Sequence, residues 1–186
     1  MHDQELSRIL ADDPFRLQAL SLVRALGLAD GWIGAGFVRD AIWDRLHGRP
    51  VQRPIGDIDV LWFDAARATP EVDKGLQASL LHHSPDSIWS VKNQARMHHR
   101  NGDAPYTDVT DAMRHWPETA TAVAVRLSRA GDIEINAPYG LDDLFALRLQ
   151  PTPDFVTSKR AIFDARVRSK RWQERYPLLL PPAPSR

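Results

Sequence analysis

Asp57-Ile58-Asp59 stands directly before the apolar run Val60-Leu61-Trp62-Phe63, and no other feature of the chain restricts its fold so tightly. Side chains at i and i+2 of a strand share a face. A strand over residues 57–63 therefore turns both carboxylates to one side and sends Ile58 into a core. Two carboxylates so close repel one another unless a cation lies between them. Mg²⁺ (or Mn²⁺) is the natural guest, because it binds through one or two carboxylates plus substrate phosphates. The plainer alternative is a pair of solvated aspartates at a strand end.

Strand direction narrows the chemistry. The apolar run follows the pair, so the carboxylates lie at the start of the strand. Phosphatases that form an aspartyl-phosphate, and glycosyltransferases with a D-x-D motif, place the pair after the run. The order here disfavours both.

Upstream, Gly34-Ala35-Gly36 separates a short predicted strand (32–35) from a predicted helix (37–46). Glycines let backbone N–H groups approach an anion, and a helix start favours negative charge. A tight structural turn is the bland reading. Beside a D-x-D strand, the turn becomes a place for a triphosphate whose metal sits on Asp57 and Asp59.

The rest of the chain reads as α+β, a mixed sheet with flanking helices. Helical spacing of Leu6, Ile9 and Leu10, then of Leu17, Leu20, Val23 and Leu26, predicts two helices split near Pro14 and stopped at Gly27. A helix from 70 to 81, a strand over 88–93 and a short helix over 108–115 follow. Segments 121–127 and 132–137 are rich in β-formers and predict a hairpin. A helix at 141–147 precedes Pro151 and Pro153. The division expected is a main domain over 1–150 and a C-terminal part over 151–186, with a basic helix at 156–175 and a loose Pro-rich tail from 177.

Lys+Arg and Asp+Glu both total 24, for a formal net charge of zero. That balance argues against coating of nucleic acid, which needs a basic field. With no cysteine in the sequence, thiol catalysis and Cys-based zinc are excluded. The N-terminus lacks an apolar signal core and no run is long enough to span a bilayer, so the cytoplasm is the expected compartment and no membrane partner is expected.

GAGFVRD followed by DIDV resembles the nucleotidyltransferase superfamily of DNA polymerase β, and most closely the G-G-x-V-R-D…D-x-D arrangement of poly(A) polymerases and tRNA CCA-adding enzymes. "IWSVKNQARMHHRNGDAPY", "ETATAVAVRL" and "APYGLDDLF" extend the likeness, over most of the chain, to a bacterial family of nucleotidyltransferase-like proteins without an assigned substrate. The resemblance implies a polymerase-β-like fold and metal-dependent transfer of an NMP from an NTP, with release of pyrophosphate. It also implies roles. Gly36 matches the second family glycine, Ala35 replaces the first with Gly34 one place earlier, Arg39 and Asp40 shape the nucleotide site, and Asp57 and Asp59 hold metal.

The superfamily adds a third carboxylate from a later strand, as metal ligand or general base. Ser90 stands at the matching place here. Glu134, in a predicted strand, is the alternative catalytic candidate, and Asp86 on a loop a weaker one. Lys92 and Arg96 are candidates to neutralise the triphosphate, a solvated edge being the competing view. The basic helix carrying Arg166 and Lys170 reads as a solvated face, with Ile162, Phe163, Val167 and Trp172 turned inward.

Two functions fit. One is a transferase using an NTP donor and an acceptor that is a small molecule or a protein rather than RNA. The other is a nucleotide-binding module that has lost catalysis, as Ser90 suggests.

Overall fold

The structure, a computed structural model, describes residues 1–182. In chain order the elements are α1 (His2–Ala11), α2 (Pro14–Ala25), β1 (Gly31–Gly34), α3 (Gly36–Leu46), β2 (Ile58–Trp62), α4 (Pro70–His83), β3 (Trp89–Asn93), α5 (Met97–Asn101), α6 (Val109–Arg114), β4 (Ala124–Leu127), β5 (Ile133–Asn136), α7 (Asp142–Phe145), α8 (Pro153–Val156), α9 (Arg160–Lys170) and α10 (Trp172–Arg175). One five-stranded sheet runs in the order β3-β2-β1-β4-β5. β2 and β3 are parallel and the remaining pairs antiparallel, so the expected mixed sheet is present.

Local chemistry explains the boundaries. Asp13 caps α2 by accepting from the Phe15 and Arg16 N–H groups, and Pro14 fills the first helical position, where its missing N–H costs nothing. Gly27 takes a left-handed φ of 65° and stops the helix.

The two faces of the sheet differ. Ile33, Ile58, Val60, Trp62, Trp89, Val91 and Val125 alternate onto one face and join the main core. Leu6, Leu10, Leu20 and Leu80 from α1, α2 and α4, with Phe37, Val38, Ile42 and Trp43 of α3, belong to that same core. Strand register puts Gly34, Asp59 and Ser90 side by side on the opposite face, with Leu61 and Lys92 two residues further along. That second face meets only a small cluster containing Trp32, Leu61, Val109, Met113 and Ala124, and part of it stays open.

The C-terminal part departs from expectation. The single helix predicted over 156–175 is broken twice: α8 ends at Val156 and α9 begins only at Arg160, and Arg171 adopts a left-handed conformation (φ 50°) between α9 and α10. The segment after 177 is pinned rather than loose: Leu179 is buried, and the Leu180 N–H donates to the Leu147 carbonyl at 2.8 Å. Residues 183–186 of that tail lie outside the described residues. Trp172, Tyr176 and Leu179 join the main core, with Trp172 and Tyr176 edge-on to Trp43. No helix among the described residues is long and apolar enough to cross a membrane.

Candidate active site

Four pieces of chain meet over the open face of the sheet. Ala35 and Gly36, the loop Pro54-Ile55-Gly56, Asp57 with Asp59, and the α9–α10 residues Arg166, Lys170, Trp172 and Arg175 line a cleft of about 310 Å³, together with Arg39 and Asp40. The carboxylates are therefore not splayed apart. Both line the cleft that the glycine turn lines.

The turn is built under steric pressure. Gly34 pairs with Asp59 across the β1–β2 ladder. A Cβ on Gly34 would come to 3.0 Å from Leu61 Cδ1 and 3.1 Å from the Val123 carbonyl, so tight that these neighbours would have to give by a few tenths of an ångström. Ala35 follows with φ 55° and ψ −126°, backbone angles that favour glycine and cost another residue about 1–3 kcal/mol. Its N–H donates to the Val123 carbonyl at 3.0 Å, and its carbonyl accepts from Val38 and Arg39 as the first acceptor of α3. Among the first-turn donors of α3, those of Gly36 and Phe37 are left over by this arrangement, as at any helix start. Ala35 thus holds a backbone conformation that a glycine would adopt without strain.

Asp59 is the electrostatically unusual group. Burial raises its pKa, the neighbouring Asp57 raises it further, and the Ser90 hydroxyl, Arg166 and Lys170 pull it partly back, leaving it at about 6. A carboxylate in that state carries negative charge incompletely offset by the protein, and a cation beside it would relieve the deficit. The donor set, two carboxylates facing a cleft lined with phosphate-sized cations, suits a hard divalent ion.

Arg39 and Asp40 form no exposed ion pair. Arg39 donates to Asp40 Oδ1 through Nε (2.9 Å) and Nη2 (2.7 Å) and to Thr121 Oγ1 through Nη1 (3.0 Å). Its guanidinium lies over the rings of Trp43 and Trp172, at 4.9 and 4.6 Å. Arg175 reaches Asp40 Oδ2 at 3.4 Å from the C-terminal segment. The pair thus clamps the C-terminal helices to α3 and holds one wall of the cleft in place.

Three expectations change. Glu134 lies on β5, three strands from Asp59, which at about 4.8 Å per strand keeps it far from the pair; it accepts from Arg126 Nε at 2.5 Å. Arg96 turns toward α4 and donates to buried Asp73, which also accepts from Trp62 Nε1 and the Asn93 N–H. It braces the buried side of the sheet rather than facing the cleft. Asp86 lines a neighbouring surface depression with Arg53 and Ile88, not the cleft. Lys92, by contrast, lies on the Asp59 face and lines a second cleft that shares Asp59. Among the described residues, the strand position beside Asp59 is held by Ser90, and the charged groups acting on Asp59 are Asp57 and the basic Arg166 and Lys170.

The residues that sequence reasoning passed over are Arg166 and Lys170. Arg166 donates through Nε to Glu118 Oε1 at 2.7 Å, and Glu118 is fully buried. The "ETATAVAVRL" segment therefore contributes the carboxylate that holds this arginine beside Asp59. Among the described residues, one other group could present three metal donors: Asp103, His115 and Asp154, with ligand atoms within 4.8 Å of one another. The Lys159 ammonium already bonds Asp103 at 2.5 Å, so a cation is present there.

The family described as "Nucleotidyltransferase" matches residues 21–180 of the chain. This chain belongs to that family. The solved structures similar to it include a protein determined by NMR and described as revealing a CCA-adding enzyme head domain. It is 35% identical, with a TM-score of 0.85 over 96% of this chain and 94% of that one. The CCA-adding enzyme of Bacillus stearothermophilus in complex with CTP matches at 18% identity and TM-score 0.55, over 91% of this chain and 40% of that enzyme. A CCA-adding enzyme in complex with ATP matches at 15% identity and TM-score 0.57, over 96% and 42%. At those identities the CCA-adding enzymes share the fold, and the chain spans about two fifths of their length. No curated protein matches it in sequence. The polymerase-β-like nucleotidyltransferase fold expected from the motifs is the one found.

Proposed function

We propose that this nucleotidyltransferase moves an NMP from an NTP to an acceptor, a small molecule or a protein in preference to RNA, using Mg²⁺ or Mn²⁺ held by Asp57 and Asp59. The observation that carries the reading is the raised Asp59 carboxylate beside Asp57 in the cleft that begins at the Gly36 helix start. The N–H groups of Gly36 and Phe37 and the charges of Arg166 and Lys170 would grip the phosphates. The bound ion would supply Lewis-acid polarisation and charge neutralisation at the phosphate. An acceptor oxygen or nitrogen attacks the α-phosphorus in line, the new bond to phosphorus forms, and the bond to the bridging β-phosphate oxygen breaks. Pyrophosphate leaves toward Arg166 and Lys170, which offset its charge. Arg39 and Asp40 act as positioning residues by holding the C-terminal wall.

A second reading has one observation in its favour. Ser90, not a carboxylate, stands beside Asp59, and a serine neither draws a proton efficiently nor offsets metal charge. On that reading the protein binds NTPs and releases no pyrophosphate. Incubation of the purified chain with Mg²⁺ or Mn²⁺, labelled NTPs and a cell extract separates the two. Asp59-dependent label transfer with pyrophosphate release supports the transferase; NTP binding without pyrophosphate, with every metal and extract, supports the module.

A further inference from the structure

Asp59 borders two clefts. Beyond the one described, a larger cleft of about 570 Å³ opens on its other side, and the two share Ala35, Asp59 and Arg166. Its floor is the open face of the sheet, with Leu61 on β2 and Lys92 on β3. Met97, Trp116, Phe155 and Ile162 supply apolar wall. Ile162 is 58% exposed where it lines the cleft, so much of this apolar side chain is left to solvent.

The charges in this cleft are lopsided. Lys92, Arg100, Lys159 and Arg166 line it, while Asp59 is its only acid. Lys159 and Arg166 are matched by Asp103 and Glu118 behind them. Lys92 and Arg100 have no carboxylate partner among the described residues, which leaves two uncompensated cations above an apolar wall. A volume of this size suits a single small molecule, and sites of that kind are mostly apolar with a few converging polar groups.

We infer that this second cleft binds the acceptor, and that the acceptor is a small ring-bearing anion with a free hydroxyl or amine. Its ring lies against Trp116, Phe155 and Ile162, its carboxylate, sulfonate or phosphate meets Lys92 and Arg100, and its nucleophilic group points toward Asp59. The name acceptor rests on the transferase reading; the binding chemistry does not. A nucleic-acid strand fits less well, because it is tracked by a long basic groove and this chain has zero net charge.

8-Anilinonaphthalene-1-sulfonate, an aromatic anion whose fluorescence rises in apolar sites, tests the inference on the full chain. Saturating MgATP is present throughout to fill the first cleft. One equivalent binds the wild type, and phenyl phosphate displaces it. Lys92→Met and, independently, exposed Arg100→Met each weaken it by about tenfold, the loss expected for one charge-assisted contact. Lys74→Met, exposed on α4 and outside both clefts, leaves it unchanged. Equal affinity in all three variants overturns the inference, as does displacement by a single-stranded oligonucleotide at lower concentration than phenyl phosphate. If the probe behaves as expected yet no labelled NTP ever yields pyrophosphate, the transferase reading fails while the ligand site stands.

Discussion

The two faces of the central sheet are made by the same strands and answer to different demands. On one, Ile33, Val60, Trp62, Val91 and Val125 alternate into a core and are almost wholly removed from water. On the other, the residues in between are Gly34, Asp59, Leu61, Ser90 and Lys92, of which Asp59, Leu61 and Lys92 line an open cleft. The first face is optimised for packing. The second keeps a half-buried carboxylate whose pKa has risen to about 6 and a strained alanine at the turn above it. A period of two thus lets one set of strands carry the fold and the chemistry on opposite sides, with the cost of the chemistry offset by the packing.

The contrast can be broken most sharply at Asp59. Asp59→Asn is expected to lower Mg²⁺-dependent nucleotidyl transfer on the order of 10³-fold while circular dichroism stays native, since it removes a charge aimed at the reacting phosphate. On the packed face, Ile33→Ala should cost about 3 kcal/mol in urea unfolding, within the range for deleting buried aliphatic groups. The residual folded fraction should keep full activity per molecule.

The third effect joins the two faces. The folded-state pKa of Asp59 lies above its ordinary value of 3.8, so between about pH 4 and 6 the native protein holds a proton that the unfolded chain releases. Stability from this group is highest below that window, falls as pH rises through it, and stays reduced above 6. Asp59→Asn removes the penalty. It should therefore stabilise the metal-free protein by about 3 kcal/mol at pH 8 and by far less at pH 4. Melting curves at both pH values check this, and a gain that persists in full at pH 4 would point to some cause other than charge. Smallest is Ala35→Gly. Relief of the φ 55° backbone should outweigh the added freedom of the unfolded chain and raise stability by about 1 kcal/mol or less, read as a small rise in melting temperature.

Local signals made much of the fold legible. Pro14 and Gly27 bound α2, the run after Asp59 makes β2, and the β-rich segments around 121–137 pair as β4 and β5. That Asp57 and Asp59 point to one side followed from strand periodicity; that the glycine turn adjoins them comes from the β1–β2 pairing. What stayed hidden depends on contacts distant in sequence. Arg166 and Lys170 reach the cleft from more than a hundred residues beyond Asp59, and a basic helix shows only that one side is polar, not what that side meets. Arg39 is placed at the nucleotide site by the resemblance, but its packing under Trp172 depends on a segment more than a hundred residues away. Arg96 and Lys92 stand four residues apart, yet the chain turns after β3 and sends Arg96 to Asp73 on the buried side. Glu134 was a fair strand candidate, but strand order, which sequence period does not encode, puts it at the far edge.

The central claim is that the cleft between the Gly36 helix start and the Asp57–Asp59 pair holds a metal–triphosphate. Calorimetric titration of ATP and CTP into the wild type and Asp59→Asn, with Mg²⁺ and with EDTA, tests it most directly. The account predicts saturable one-to-one binding of at least one nucleotide in Mg²⁺, lost both with EDTA and in Asp59→Asn. Binding of equal strength in all those conditions, or none to the wild type in Mg²⁺, would contradict it.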